Sequence, residues 1–119
     1  IKGGGVMGFG MAISERHVYD RHWGLPAAVG FYQAKPLSYL DVPSEMDWHA
    51  VDEPDPNNPV GSKGIGEPVM GCSAAALLCA ISDALGGHYF NRIPVMADMI
   101  INVASERSQS HGPLQVNTQ

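Results

Sequence analysis

The sequence predicts an α+β fold, helices packed on a small sheet, and three stretches carry that expectation. "VMGCSAAALLCAISDAL", Val69 to Leu85, is an alanine-rich run of helical length ended by Gly86 and Gly87, residues suited to a helix C-terminus. "VMADMIINVASER" places Met96, Met99, Ile100 and Val103 on one helical face, a core stripe by default. "EMDWHAV" alternates Met46, Trp48 and Ala50 against Asp47 and His49, the pattern of a half-buried strand.

Taken in order, Gly8 to Tyr19 carry apolar positions at Phe9, Ala12, Ile13 and, less regularly, Val18, which predicts a helix opened by the preceding glycine run. Gly24 and Pro26 break the chain after it, and Phe31 to Leu40 reads as extended or irregular around Pro36. After the strand, "DEPDPNNPVG" holds three prolines and two asparagines in ten residues, so it is a loop with little regular hydrogen bonding. Ala74, Ala75, Ala76 and Ala80 leave so little bulk on the long helix that another backbone can approach it closely. "FNRIP" makes a short extended link to the second helix. The expected domain runs over residues 1–106. Beyond it "RSQSHGPLQVNTQ" loses periodicity, and 107–119 is expected to be a disordered tail.

Composition narrows the function. With 119 residues, 45% hydrophobic and 16% charged, there is room for one core only. A net charge of -5 with seven scattered basic residues argues against a phosphate-tracking nucleic-acid surface. No apolar run approaches the roughly 20 residues of a membrane span, and the N-terminus has no signal-peptide pattern, so the expectation is a soluble, cytoplasmic protein. Cys72 and Cys79 lie seven apart on one predicted helix, about 10 Å between Cα atoms at helical rise, which is too far for a disulfide. They read as small buried thiols in a reducing compartment. Ile1 in place of methionine, and an opening that reads like the middle of an element, suggest a fragment.

The candidate chemistry centres on "GSKGIGEPV", Gly61 to Val69, where three glycines and a lysine surround Glu67. Pro68 suits the first position of the following helix, where its missing N–H costs nothing. Glu67 therefore stands beside a helix N-terminus, whose free amides and dipole favour a carboxylate and make it available as a base. By pattern alone, an ordinary helix-start charge in a glycine turn fits rather better. "GGGVMG", Gly3 to Gly8, satisfies G-x-G-x-x-G, but only two residues precede it and the strand that the dinucleotide fingerprint needs has no room. It reads instead as a glycine-rich approach to a helix N-terminus. Lys63 is followed by glycine, so "GSKGIG" is no phosphate-binding Walker loop. The histidines (His17, His22, His49, His88, His111) lack metal-ligand spacing, and no metal-ligating side chain is assigned. Trp23, Trp48, Tyr89 and Phe90 read as core or interface, having no interleaved basic residues.

"GSKGIGEPVMGCSAAALLCAISDALG" resembles a segment near the C-terminus of the molybdopterin-binding large subunit of the xanthine dehydrogenase and aldehyde oxidase family of molybdenum hydroxylases. "GFGMAISERHVYD", "LDVPSE" and "RIPVMADMI" resemble further elements of that subunit in the same order, so the similarity runs from about Gly4 to Val103. Two positions depart from the family pattern. Met7 stands where a glutamine is common, and Val69 where a second proline is common after the glutamate.

The resemblance implies that the chain is a fragment of the larger molybdenum-binding domain and that Glu67 aligns with the family's catalytic base. That base takes a proton from the attacking, water-derived oxygen during hydroxylation of an aldehyde or N-heterocycle. Lys63, Gly64, Ile65 and Gly66 would offer backbone contacts to the molybdopterin cofactor, and the turn at Gly8, Phe9 and Gly10 another. Electrons would leave through iron–sulfur clusters and FAD on other domains or subunits. The implied partners are those domains, the remainder of the molybdenum subunit, a small-molecule substrate and further copies of the assembly. The fragment alone is expected to be inactive. A second reading is a non-catalytic assembly module derived from the same domain, and a nucleotide-binding domain using Gly3, Gly5 and Gly8 is a third.

Overall fold

The computed structural model describes residues 1–111. Among them, α1 spans Lys2–Ile13, α2 Phe31–Ala34, α3 Pro68–Ala84 and α4 Ala97–Ala104, with one 3₁₀ turn at Tyr39–Asp41. No sheet forms among the described residues; the strand-like pairing they contain is a single antiparallel bridge between Tyr19 and Pro26. The fold is thus small and mostly helical, which corrects the expected α+β class. The reason is visible at 45–51, where the alternation is present but no second strand lies alongside. Among the described residues, no backbone-to-backbone hydrogen bond involves 43–54.

The first helix also departs from expectation. It begins at Lys2, takes the glycine run into its interior and ends at Ile13 instead of continuing to Tyr19. Each interior glycine costs roughly 1 kcal/mol relative to alanine, so this helix depends on what it packs against. Gly4 and Gly8, four residues apart and both buried, face α3. A Cβ at Gly4 would run into the Gly66 carbonyl, and one at Gly8 would run into Ser73 Oγ and the Met70 carbonyl and come within 3.0 Å of the Ala74 amide nitrogen. The close approach expected of the alanine-rich helix is therefore made by α1, backbone against backbone, with Ala74 buried in the seam.

Pro68 occupies the first turn of α3 as expected, and the helix ends where Gly86 and Gly87 take φ of +71° and +88°. The Gly87 amide donates back to the Ser82 carbonyl at 2.8 Å, closing the last turn. A second small core forms where the Val95 amide donates to the Ala12 carbonyl at 2.7 Å and both side chains are fully buried. That bond holds Val95 outside α4, which starts two residues later than the apolar pattern suggested. Of the predicted stripe Met99 is buried, while Met96, Ile100 and Val103 are half-buried. Residues 107–111 turn back on α4, with Gln109 Nε2 donating to the Met99 carbonyl at 3.0 Å. The remainder of the expected tail, 112–119, lies outside the described residues.

Much apolar surface stays open. Cys72 and Cys79 are exposed, not buried, because they lie away from the α1 seam. Trp23, Trp48 and Tyr89 are exposed and Phe90 is half-buried, so of the expected core or interface role, the core is not what they form in this chain. The accessible surface is 9691 Å², against about 6,200 Å² for a compact monomer of this mass. The radius of gyration, 17.9 Å, exceeds the roughly 13.5 Å of a compact domain of this length. No helix of the described residues is long and apolar enough to cross a membrane.

Candidate functional site

Two local structures aim the Glu67 loop. Upstream, the Asp55 amide donates to the Gly61 carbonyl at 3.0 Å and the Gly61 amide to the Asn58 carbonyl at 2.9 Å. Asp55 Oδ1 accepts from the Asn57 amide and Asn58 Oδ1 from the Val60 amide, so the proline-rich stretch closes on itself. Gly61 at φ +69° completes the closure, and a Cβ there would stand 3.0 Å from Pro54 Cβ. Downstream, Glu67 is the N-cap residue of α3, with its carbonyl accepting from the Met70 amide at 3.0 Å.

Between these anchors, Ser62 to Gly66 run exposed. The Gly66 carbonyl rests against Gly4 of α1, which pins the last residue before the glutamate. Glu67 itself is exposed and makes no capping bond with its side chain. Its carboxylate therefore projects from a fixed backbone at the positive end of a 17-residue helix. Gly64 and Gly66 have no atom within 4 Å of where a Cβ would stand, so one side of the loop is open to a group lying flat on the backbone. Such an arrangement can offer amides to a bulky polar group and a carboxylate to take up a proton beside it.

The predicted site residues do not all meet. Lys63, Gly64, Ile65 and Gly66 stand with Glu67 in one exposed loop. Gly8, Phe9 and Gly10 lie inside α1, where the expected turn is replaced by helix and the amides serve the helical ladder. Gly8 supports α3 one to two turns beyond Glu67, and Gly10 packs near Glu15 and Leu37. Met7 is half exposed on the same helix. The residue that sequence reasoning missed is Gly4, which props the loop at Gly66. The signal was the spacing of four between Gly4 and Gly8, which marks a close helix seam.

Larger concavities lie elsewhere. A cleft of ≈ 550 Å³ is lined by Met11, Glu15, Arg16, Ile93 and Pro94 among others, and one of ≈ 470 Å³ by Leu78, Cys79, Tyr89 and Phe90 among others. Glu67 lines neither, so it stands on open surface. Among the described residues, no cluster of three or more His, Cys, Asp or Glu side chains could hold a metal ion.

No family model matches the chain. Curated relatives do. It is 32% identical over 103 residues to the 6-hydroxypseudooxynicotine dehydrogenase complex subunit gamma of Paenarthrobacter nicotinovorans, covering 86% of this chain and 13% of that protein. It is 27% identical over 115 residues to the nicotine 6-hydroxylase large subunit of the same organism, 95% of this chain and 14% of that one. It is 29% identical over 101 residues to the aldehyde oxidoreductase of Megalodesulfovibrio gigas, 85% of this chain and 10% of that enzyme. The chain thus spans about an eighth of the length of the relatives it matches.

Proposed function

The chain is a relative of the molybdenum hydroxylases of the xanthine dehydrogenase and aldehyde oxidase family, and from that premise we propose that it forms part of the active site of such an oxidoreductase, with Glu67 as general base. The substrate class is an aldehyde or N-heterocycle, hydroxylated with oxygen from water. The observation that carries this reading is Glu67 itself: an exposed, uncapped carboxylate held at the start of α3 by a loop pinned on both sides.

The residues fit the molybdopterin cofactor that the relationship implies. The open side of Gly64 and Gly66 leaves room for a pterin against the backbone, and Lys63 to Gly66 would hold it. When bound, that group supplies the redox chemistry of the reaction. This chain contributes the proton acceptor: Glu67 takes a proton from the attacking oxygen, and the rigid turn keeps the carboxylate from swinging away. Gly8, Phe9 and Gly10 enter differently from first expectation. Gly8 and Gly10 position α1 against its neighbours, and Phe9 lies half-buried between them on the same helix. Iron–sulfur clusters and FAD belong to other domains or subunits in this reading, as do most substrate contacts.

The test is Glu67→Gln in the complete enzyme. The change keeps shape and removes the base, so turnover falls by about 100-fold or more while molybdenum content stays near normal. Unchanged turnover with full metal loading overturns the assignment. The reading as a non-catalytic assembly module draws on the large open apolar surface. It predicts no molybdenum in the complete natural protein made by a host able to supply the cofactor.

A further inference from the structure

A small cleft of ≈ 260 Å³ lies where the chain has left α1, approaches α4 and turns back past it. Arg16, Arg92 and His111 line it, against a single carboxylate, Asp98. The whole chain has seven Lys and Arg against twelve Asp and Glu, so two guanidiniums on one small cleft invert the balance of the rest of the molecule. The walls are tied together. The bond from the Val95 amide to the Ala12 carbonyl joins the approach of α4 to α1, Gln109 Nε2 holds the returning chain to the Met99 carbonyl, and Ser110 Oγ donates to Asp98 Oδ2 at 3.3 Å. That last bond engages the one acid of the cleft. Arg16 is exposed and makes no hydrogen bond or ion pair among the described residues, so its donors are open to a ligand. Arg92 is half-buried, where solvent ions screen a charge less. Ile93, Pro94 and Met96 give the same cleft an apolar side.

We propose that this cleft binds a small carboxylate carrying a short apolar body. A guanidinium presents paired N–H donors that match the two oxygens of a carboxylate, and the His111 imidazole can add another donor. Two guanidiniums against Asp98 leave one positive charge to be met, which suits a monoanion. A more highly charged oxyanion such as phosphate is poorly matched and leaves the apolar side unused. The volume falls just below the roughly 300–1,000 Å³ of clefts that hold drug-sized ligands, which keeps the body short. Glu67 does not line this cleft, and the inference does not rest on its role.

The experiment is amide hydrogen–deuterium exchange on the complete enzyme with benzoate as the probe, followed by mass spectrometry of peptides covering 92–99 and 107–111. At ten times its Kd, benzoate should slow exchange there by about tenfold, since a ligand disfavours every opening that breaks its site. No slowing overturns the proposal. Benzyl alcohol has the ring without the charge and inorganic phosphate the charge without the ring, and each should need about tenfold more for the same effect. Either one acting at the benzoate concentration overturns the proposal. Arg16→Gln, at an exposed position, should raise the benzoate concentration for half effect by about tenfold, and Arg16→Lys should recover only part of that because it keeps the charge without the fork. An unchanged Arg16→Gln response also overturns it. Glu67→Gln enzyme should respond to benzoate as the wild type does, whatever its turnover; loss of the response there would place the probe at the proposed base and refute the cleft.

Discussion

The α1–α3 pair and the stretch from 14 to 56 both carry many apolar residues and are opposite in outcome. In the pair, glycine and alanine let two backbones meet, and Gly4, Gly8 and Ala74 are buried. In the stretch, Phe31, Tyr39 and Leu40 are 87%, 91% and 91% exposed despite far larger side chains. Burial here follows the geometry of approach more than side-chain hydrophobicity. Small residues at a spacing of four build a complete interface within the chain, while large ones without a partner element stay open.

The most severe way to break the contrast is Gly8→Val. Its added carbons meet α3 backbone, which cannot yield as a flexible side chain would. The expected loss is about 3 kcal/mol, read as a lower urea midpoint, and activity falls with it because the seam also supports Glu67. Gly71→Ala should have the opposite sign. That glycine is helical, exposed and has nothing within 4 Å of its missing Cβ, so alanine gains up to about 1 kcal/mol from helix propensity. A loss in the complete enzyme would reveal a neighbour covering that face of α3. In the open stretch, Phe31→Ser should change the stability of this chain by less than about 0.5 kcal/mol. In the assembled enzyme it should cost more if that surface is covered there, and the difference between the two urea midpoints measures the cover.

The smallest effect belongs to Asp41. Its carboxylate accepts from Ser38 Oγ at 2.8 Å and from the Ser38 amide at 2.7 Å, and these bonds lower its pKa, the hydroxyl contributing most. A lowered folded-state value means the group stabilises the turn above its ordinary range, and that contribution is lost as pH falls below about 4. The turn at Tyr39–Asp41 should therefore loosen in acid, and Asp41→Asn should abolish that dependence, as monitored by the Ser38 amide resonance.

What the sequence revealed and what it hid divide along the same line. The long helix with Pro68 at its start and Gly86 and Gly87 at its end was legible because each signal is local. The loop presenting Glu67 was legible for the same reason. Gly3 to Gly10 misled, since glycine disfavours a helix in isolation and only the α3 surface explains why one forms. The strand at 45–51 was readable as a pattern and absent as a structure, because hydrogen-bonded pairing needs a second segment that alternation cannot provide. Gly4 beneath Gly66 joins residues 62 positions apart, a distance no local signal spans.

Cys72 and Cys79, both free and exposed on one face of α3, make the handling of this chain a matter of oxidant. Separated by two helical turns, about 10 Å, they cannot close a bond with each other and are poised instead to join neighbouring molecules. In air, without a thiol reductant, the isolated chain should build linear chains of covalently linked copies. The same two sulfurs give a fixed pair of attachment points for spin or fluorescent labels, a ruler along the helix that carries Glu67.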